Sequence, residues 1–475
     1  MLCKCVSRLP AAQCPWAISL GLQKTSEPRC LHGSIVAPRT EACTPLRAHR
    51  GAILHFRSDP GAHDDPRSFE FLEDGLLVTE QGKVAAIGPA HQLLETLPKD
   101  MEVINHGDSI LMPGFVDTHI HYPQTDVIGS GGKQLLDWLE DYTFPTERQF
   151  SDPAHAREVA KFFLDELARN GTTTAMVYCT VHRDSVDAFF ESSAERRMRM
   201  VAGKVLMDRN CPDYLRETAS AGERDSRELL EKWHGHDRLL YAITPRFAVS
   251  SSEAQLASAG QLAKDFPDAL VQTHLAENLA EVAWVKELFP HARSYLDVYD
   301  GYGLVRERAV YAHCIHLDHA DRTRMAQSGA AAAFCPSSNF QLGSGLFDIA
   351  ATDAAGVKFA IATDVGGGNN FSMLRTLGDA YRVAQLSRQH LSPLRAFYLA
   401  TLGGARALGL QDRVGRFAVG MEADFIVLDP RATALLARRT AQARTLSEKL
   451  LLLMALGDDR VVSRTYILGR EVNVG

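Results

Sequence analysis

Between residues 111 and 412, short apolar runs alternate with longer helix-forming segments, and this alternation restricts the fold more than any other feature of the chain. The runs lead up to His121 and then cover 172–179, 200–208, 239–247, 270–277, 309–313, 331–336 and 359–364. Turn-forming residues separate them from the segments that follow. Repeated strand–helix units bury a parallel sheet beneath helices. Eight such units over about 250 residues predict an α/β fold, a (β/α)8 barrel of the TIM type. In that architecture, ligand-handling groups gather where strands end.

The flanks have another texture. Ala52–Phe56, Gly75–Val78 and Lys83–Gly88 read as short strands with turns between them, and Asp424–Leu428 and Arg464–Arg470 repeat the pattern near the C-terminus. The two ends are predicted to join in one small β-sandwich domain, 49–110 with 413–475, around the barrel at 111–412. Residues 1–48 are rich in Pro, Cys and Arg and carry no strand or helix period. They are expected to be disordered or absent from the mature fold, and to take no part in chemistry.

Charge and composition narrow the function classes. The formal net charge is -7, with no basic block, which argues against nucleic acid or an anionic membrane as partner. No run approaches the roughly 18 apolar residues of a membrane span. The run Leu450–Leu456 is stopped by Gly457 and is expected to be a buried helix. Five of the nine cysteines precede residue 44; the others, Cys179, Cys211, Cys314 and Cys335, form no Cys-x-x-Cys pair and fit a reducing compartment.

The chemistry lies at the predicted strand ends. The segment Met112–His121 finishes in His119-x-His121; side chains two apart on a strand share a face, so both imidazoles point into the barrel mouth, a donor pair that suits zinc. His274 ends a later strand and Glu277 follows in the loop. His313 ends another. Asp364 closes the last, ahead of Gly366-Gly367-Gly368, where a ligand could approach the backbone. One such residue is more often structural; five on four strand ends of one barrel face point to a site.

These stretches resemble the amidohydrolase superfamily: Pro113–His121, His274, His313 and Asp364 match its signature. Further segments are similar to its guanine-deaminating group, namely Leu135–Glu147, Asn170–Thr174, Thr244–Phe247 and Leu456–Arg460. The likeness runs from about residue 49 to the end. It implies a single zinc held by His119, His121, His274 and Asp364, with His313 beside the activated water and the substrate. It further implies hydrolysis of guanine to xanthine and ammonia in purine catabolism, a cytoplasmic location and a homodimer.

Within that resemblance, Asp364 is the expected proton acceptor for water, and Glu277 the expected shuttle that protonates ring N3 and then the departing ammonia. Gln124, three residues past His121, offers an amide to the purine edge. Arg246 can donate to O6, and Phe247 can stack on the ring. His121, His274, Glu277 and Asp364 also border the expected substrate position. The aromatic segment Leu135–Glu147 is either a cover over the pocket or a packed helix. Deamination of cytosine, adenosine or a triazine fits the Trp138/Phe144 and Arg246-Phe247 segments less well. The zinc deaminase pattern of His-x-Glu with Pro-Cys-x-x-Cys is absent.

Overall fold

In a computed structural model, the described residues are 46–98, 101–131 and 134–473. The expectation for 1–48 therefore falls outside them as far as residue 45, and it fails at its end, where Arg47 and Ala48 pair with Thr79 and Val78 as the start of a strand. The strands in chain order are β1 (Arg47–Phe56), β2 (Phe69–Glu80), β3 (Lys83–Pro89), β4 (Val103–Pro113), β5 (Phe115–His121), β6 (Thr172–Tyr178), β7 (Arg199–Gly203), β8 (Val205–Leu206), β9 (Leu240–Pro245), β10 (Leu270–Leu275), β11 (Ala309–His313), β12 (Ala331–Phe334), β13 (Lys358–Ile361), β14 (Phe425–Leu428), β15 (Val462–Ile467) and β16 (Arg470–Glu471).

The central sheet runs β13-β12-β11-β10-β9-β7-β6-β5, and β8, one residue beyond β7, pairs with β9. Its strand pairs are parallel. The two edges meet where they end. The Asp364 amide donates to the His119 carbonyl at 3.0 Å and the His121 amide to Val365 at 2.8 Å. The Thr118 hydroxyl adds a bond to the Ile361 carbonyl at 3.1 Å. This is the expected barrel.

Local sequence explains its helices. Pro153–Arg169 starts on Asp152, whose side chain accepts from the Ala154 amide, with Pro153 where a missing N–H costs nothing. Ala156, Val159, Ala160, Phe163, Leu164 and Leu167 form its buried face at helical spacing.

The flanking strands form a separate mixed sheet in the order β16-β15-β14-β4-β1-β2-β3, built from both ends of the chain, as expected for a small sandwich domain. Alternation splits its residues between two cores. Ile53, Leu111, Phe425 and Val427 pack in its own cluster with Tyr466, whose ring stacks on Phe425 at 4.3 Å. Leu54, Met112, Ile426 and Leu428 join the large core of the barrel and its helices. The expected helix at 450–456 is Leu446–Leu456, with Leu450, Leu453 and Met454 buried.

Only Gly114 separates β4 from β5, so the chain passes directly from one sheet to the other. A Cβ there would lie 2.2 Å from Thr173 Oγ1, which is why the Pro113-Gly114 step needs glycine. Buried ion pairs join the sheets as well. Arg199 and Arg238, on the barrel side, share Glu422, and Arg238 also holds Asp424.

Candidate active site

Period two carries the barrel interior up to the site. Leu270, then Gln272, lead to His274; Ala331 and Ala333 lead to Cys335; Ala360 and Ala362 lead to Asp364. The apolar members of these series form one buried cluster inside the barrel. His313 breaks the rule, because Val310 and Ala312 are the interior residues of β11. Its left-handed backbone, φ 69°, turns the imidazole back toward the site. Asp364 is left-handed too, at φ 50°. Non-glycine residues held this way cost about 1–3 kcal/mol each and cluster where function demands a fixed direction.

Four ligand candidates converge. His121 Nε2 lies 3.2 Å from His119 Nε2 and 3.3 Å from His274 Nε2. Asp364 Oδ1 is 3.1 Å from His119 Nε2 and 3.4 Å from that of His121. The His274 Nδ1–H donates to the Arg246 carbonyl at 2.7 Å, which leaves its Nε2 lone pair facing the other imidazoles. Burial holds all three histidines well below the usual range, so they are neutral. The three imidazole nitrogens lie close enough to share one metal ion, the Asp364 carboxylate stands beside two of them, and zinc suits such a donor set. A second grouping shares His119 and joins it to Asp364, His313 and Cys335.

The expected catalytic groups sit beside this cluster. His313 Nε2 is 3.3 Å from Glu277 Oε2 and 3.8 Å from Asp364 Oδ2. Its Nδ1 lies 3.0 Å from Asn339 Oδ1. Ser344 donates to Glu277 Oε1 at 3.0 Å. Burial, and then the charge of Asp364, push the Glu277 carboxyl up to about 8. A bound dication would draw it back down. The Glu277 amide is itself held by Glu281, whose Oε2 also caps the Asn278 amide.

All the expected substrate-side residues open onto one pocket: His121, Gln124, Arg246, Phe247, His274, Glu277 and Asp364, together with His313. His119 lies behind it. Leu135, Trp138 and Leu139 supply apolar wall, so the aromatic segment is both a short helical stretch and a side of the pocket. Of the glycine run, only Gly367 lines it. Gly366 and Gly368 are glycine for internal reasons: a Cβ would lie 2.4 Å from the Gln124 carbonyl and 1.9 Å from that of Thr363.

Several participants escaped the sequence reading. Glu147 ends the Leu135–Glu147 segment, and its carboxylate grips Arg246 inside the pocket wall. Cys335 was readable by period two from Ala331 and Ala333. Asp117, within β5, accepts from the His119 amide and from Thr363, just beyond β13, which fixes the strand end that carries both first histidines. Asn339 and Ser344 carry no local signal, since each acts through a contact distant in sequence, whereas Glu281 is the third residue of the capping box that Asn278 opens. Lys204 follows β7 but is occupied by Glu217 at 2.5 Å.

The Amidohydrolase family model matches residues 110–472, which include the whole constellation. The chain belongs to the amidohydrolase family. Among curated members, the guanine deaminase of Escherichia coli K12 is 49% identical over 428 residues, covering 90% of this chain and 98% of that one. The solved E. coli guanine deaminase superposes with a TM-score of 0.88 at 48% identity, over 90% of this chain and 99% of that chain. A guanine deaminase from C. acetobutylicum, solved with guanine bound in its active site, gives 0.82 at 29% identity, over 90% and 100%. In this amidohydrolase the metal-type cluster and the pocket occupy the carboxyl ends of the barrel strands, where the fold places chemistry.

Proposed function

We propose that this amidohydrolase is a guanine deaminase that converts guanine and water to xanthine and ammonia. The observation that carries the reading is that one pocket joins His121, His274 and Asp364 of the metal-type cluster to a carboxyl, Glu277, and to a polar edge, Gln124 and Arg246. The names of the relatives support the same substrate.

A zinc ion held by those four residues would supply a Lewis acid that lowers the pKa of water to about 7. Asp364, at the centre of the cluster, takes the proton of the attacking water. Attack at C2 of guanine places charge on N3, and Glu277 protonates that nitrogen. Glu277, now ionised, takes the proton of the new C2 hydroxyl and passes it to the 2-amino group, so the C2–N bond breaks, ammonia leaves and C2 becomes a carbonyl; the water proton held by Asp364 then restores the Glu277 carboxyl. His313, hydrogen-bonded toward Asn339 and close to Glu277, orients the water and the ring. Gln124 and Arg246 read the polar edge, and Phe247 flanks the ring face with Leu135, Trp138 and Leu139.

The reading places the enzyme in the cytoplasm as a homodimer. Among the described residues no helix is long and apolar enough to cross a membrane. It divides the chain into a barrel at about 114–412, a sheet domain at about 47–113 and 413–475, and an extension before residue 47. The direct test incubates zinc-loaded protein with guanine, cytosine, adenine and adenosine and measures xanthine and ammonia. Xanthine is expected from guanine alone. Absence of xanthine at full zinc occupancy refutes the proposal, and light scattering checks the dimer.

A further inference from the structure

Both Arg246 and Glu147 have nearly fully buried side chains, 3% and 1% exposed. Glu147 accepts from Arg246 Nη1 with both carboxylate oxygens, at 2.9 and 2.7 Å. The same Oε1 accepts from Gln124 Nε2 at 3.3 Å. One carboxylate therefore holds the two residues that read the polar edge of the ring. The guanidinium is further fixed over the Phe144 ring, 5.2 Å from its centroid. Gln124 is fixed from its other end by the Gly366 amide, which donates to Oε1 at 3.2 Å. The Arg246 carbonyl also carries the His274 imidazole. Glu147 thus sits at the junction between the recognition edge and the metal-type cluster without lining the pocket itself.

Two consequences follow from charge and geometry. A guanidinium has five donors, and anchoring one nitrogen leaves the rest of a rigid fork with a defined direction. An unpaired buried cation would draw anionic ligands; pairing it with Glu147 makes the edge net neutral. The combination suits an oxo acceptor on an uncharged ring.

We propose that Glu147 is the positioning residue that sets ring selectivity, holding Arg246 and Gln124 in one register so that the pocket prefers a neutral purine bearing an oxo group at position 6. The proposal rests on reading the pocket as a guanine site. Glu147 does not line the pocket and acts through Arg246 and Gln124.

The test uses full-length, zinc-loaded protein and two variants. Glu147→Gln keeps size and removes the charge; Glu147→Asp keeps the charge and withdraws it by one methylene. For each, zinc content, kcat and KM for guanine, and affinity for 2-aminopurine, which lacks O6, are measured. The KM for guanine should rise about 10- to 100-fold in Glu147→Gln, the scale of losing a hydrogen bond to a charged group. Glu147→Asp should show a smaller rise. Affinity for 2-aminopurine, zinc content and kcat should change by less than about threefold, well under that scale. A merely structural role predicts equal losses for both ligands, or loss of zinc, and either result overturns the proposal. Unchanged selectivity in both variants also overturns it, as does failure of both to fold. A parent enzyme that releases no xanthine from guanine would instead refute the guanine reading, whatever the variants do.

Discussion

Glu277→Gln separates proton transfer from every other property of the site. The carboxyl makes two contacts: Ser344 Oγ donates to Oε1 at 3.0 Å, and Oε2 stands 3.3 Å from His313 Nε2. A glutamine amide oxygen can still accept from Ser344, and its NH2 can face the imidazole nitrogen, so neither partner is left unpaired. The Glu277 backbone amide stays on Glu281 whatever the side chain. The substitution also removes an acidic group that Asp364 disfavours in its charged form. Stability should therefore hold or rise slightly, and the zinc content should not change, because the ligand cluster lies outside the substitution. What disappears is the transferable proton. General acid–base groups contribute about 10²- to 10⁴-fold, so guanine turnover should fall by that range. The assay follows xanthine formation, guanine affinity, zinc per chain and melting temperature on one preparation. A variant that keeps turnover within about tenfold of the parent, below the range for such a group, would refute the shuttle role. His313 would then be the next group to substitute.

Three further outcomes test the frame around the site. Removing metal with a chelator should abolish turnover, and zinc should restore it at about one ion per chain, the stoichiometry of three imidazoles and one carboxylate; activity in metal-free protein would refute the cluster's role. Arg238→Met should destabilise the protein by about 3–5 kcal/mol in urea denaturation, because Asp424 and Glu422 lose a buried partner at the junction of the two sheets; a loss under about 1 kcal/mol, the size of an exposed pair, would mean that water replaces the arginine. Gly114→Ala should cost about 1–3 kcal/mol through the clash with Thr173, and Thr173→Ala in the same chain should recover part of it, since the two nearest atoms, Oγ1 and Cγ2, are removed; no recovery would place the strain in the backbone.

The periodic parts of this protein were legible without coordinates. Strand–helix alternation implied the barrel, and 309–313 matches β11 to the residue. The flanking strands at 52–56 and 424–428 lie within or overlap β1 and β14. His119, His121, His274, Glu277, His313 and Asp364 could be chosen because strand ends on one barrel face are brought together by topology, which the sequence pattern encodes locally. Tertiary structure decided what depends on pairs distant along the chain. Barrel closure pairs the Asp364 amide with the His119 carbonyl and the His121 amide with Val365, and these contacts bring two separate strand ends into one candidate ligand cluster. The left-handed turn at His313 reverses the side that alternation assigns to it. Glu147 and Arg246 stand 99 residues apart and meet only once the Leu135–Glu147 segment folds over the mouth. A period of two or of 3.6 reports which face of its own element a residue occupies. It carries no information about which distant side chain will occupy the space opposite, and that is where recognition is set.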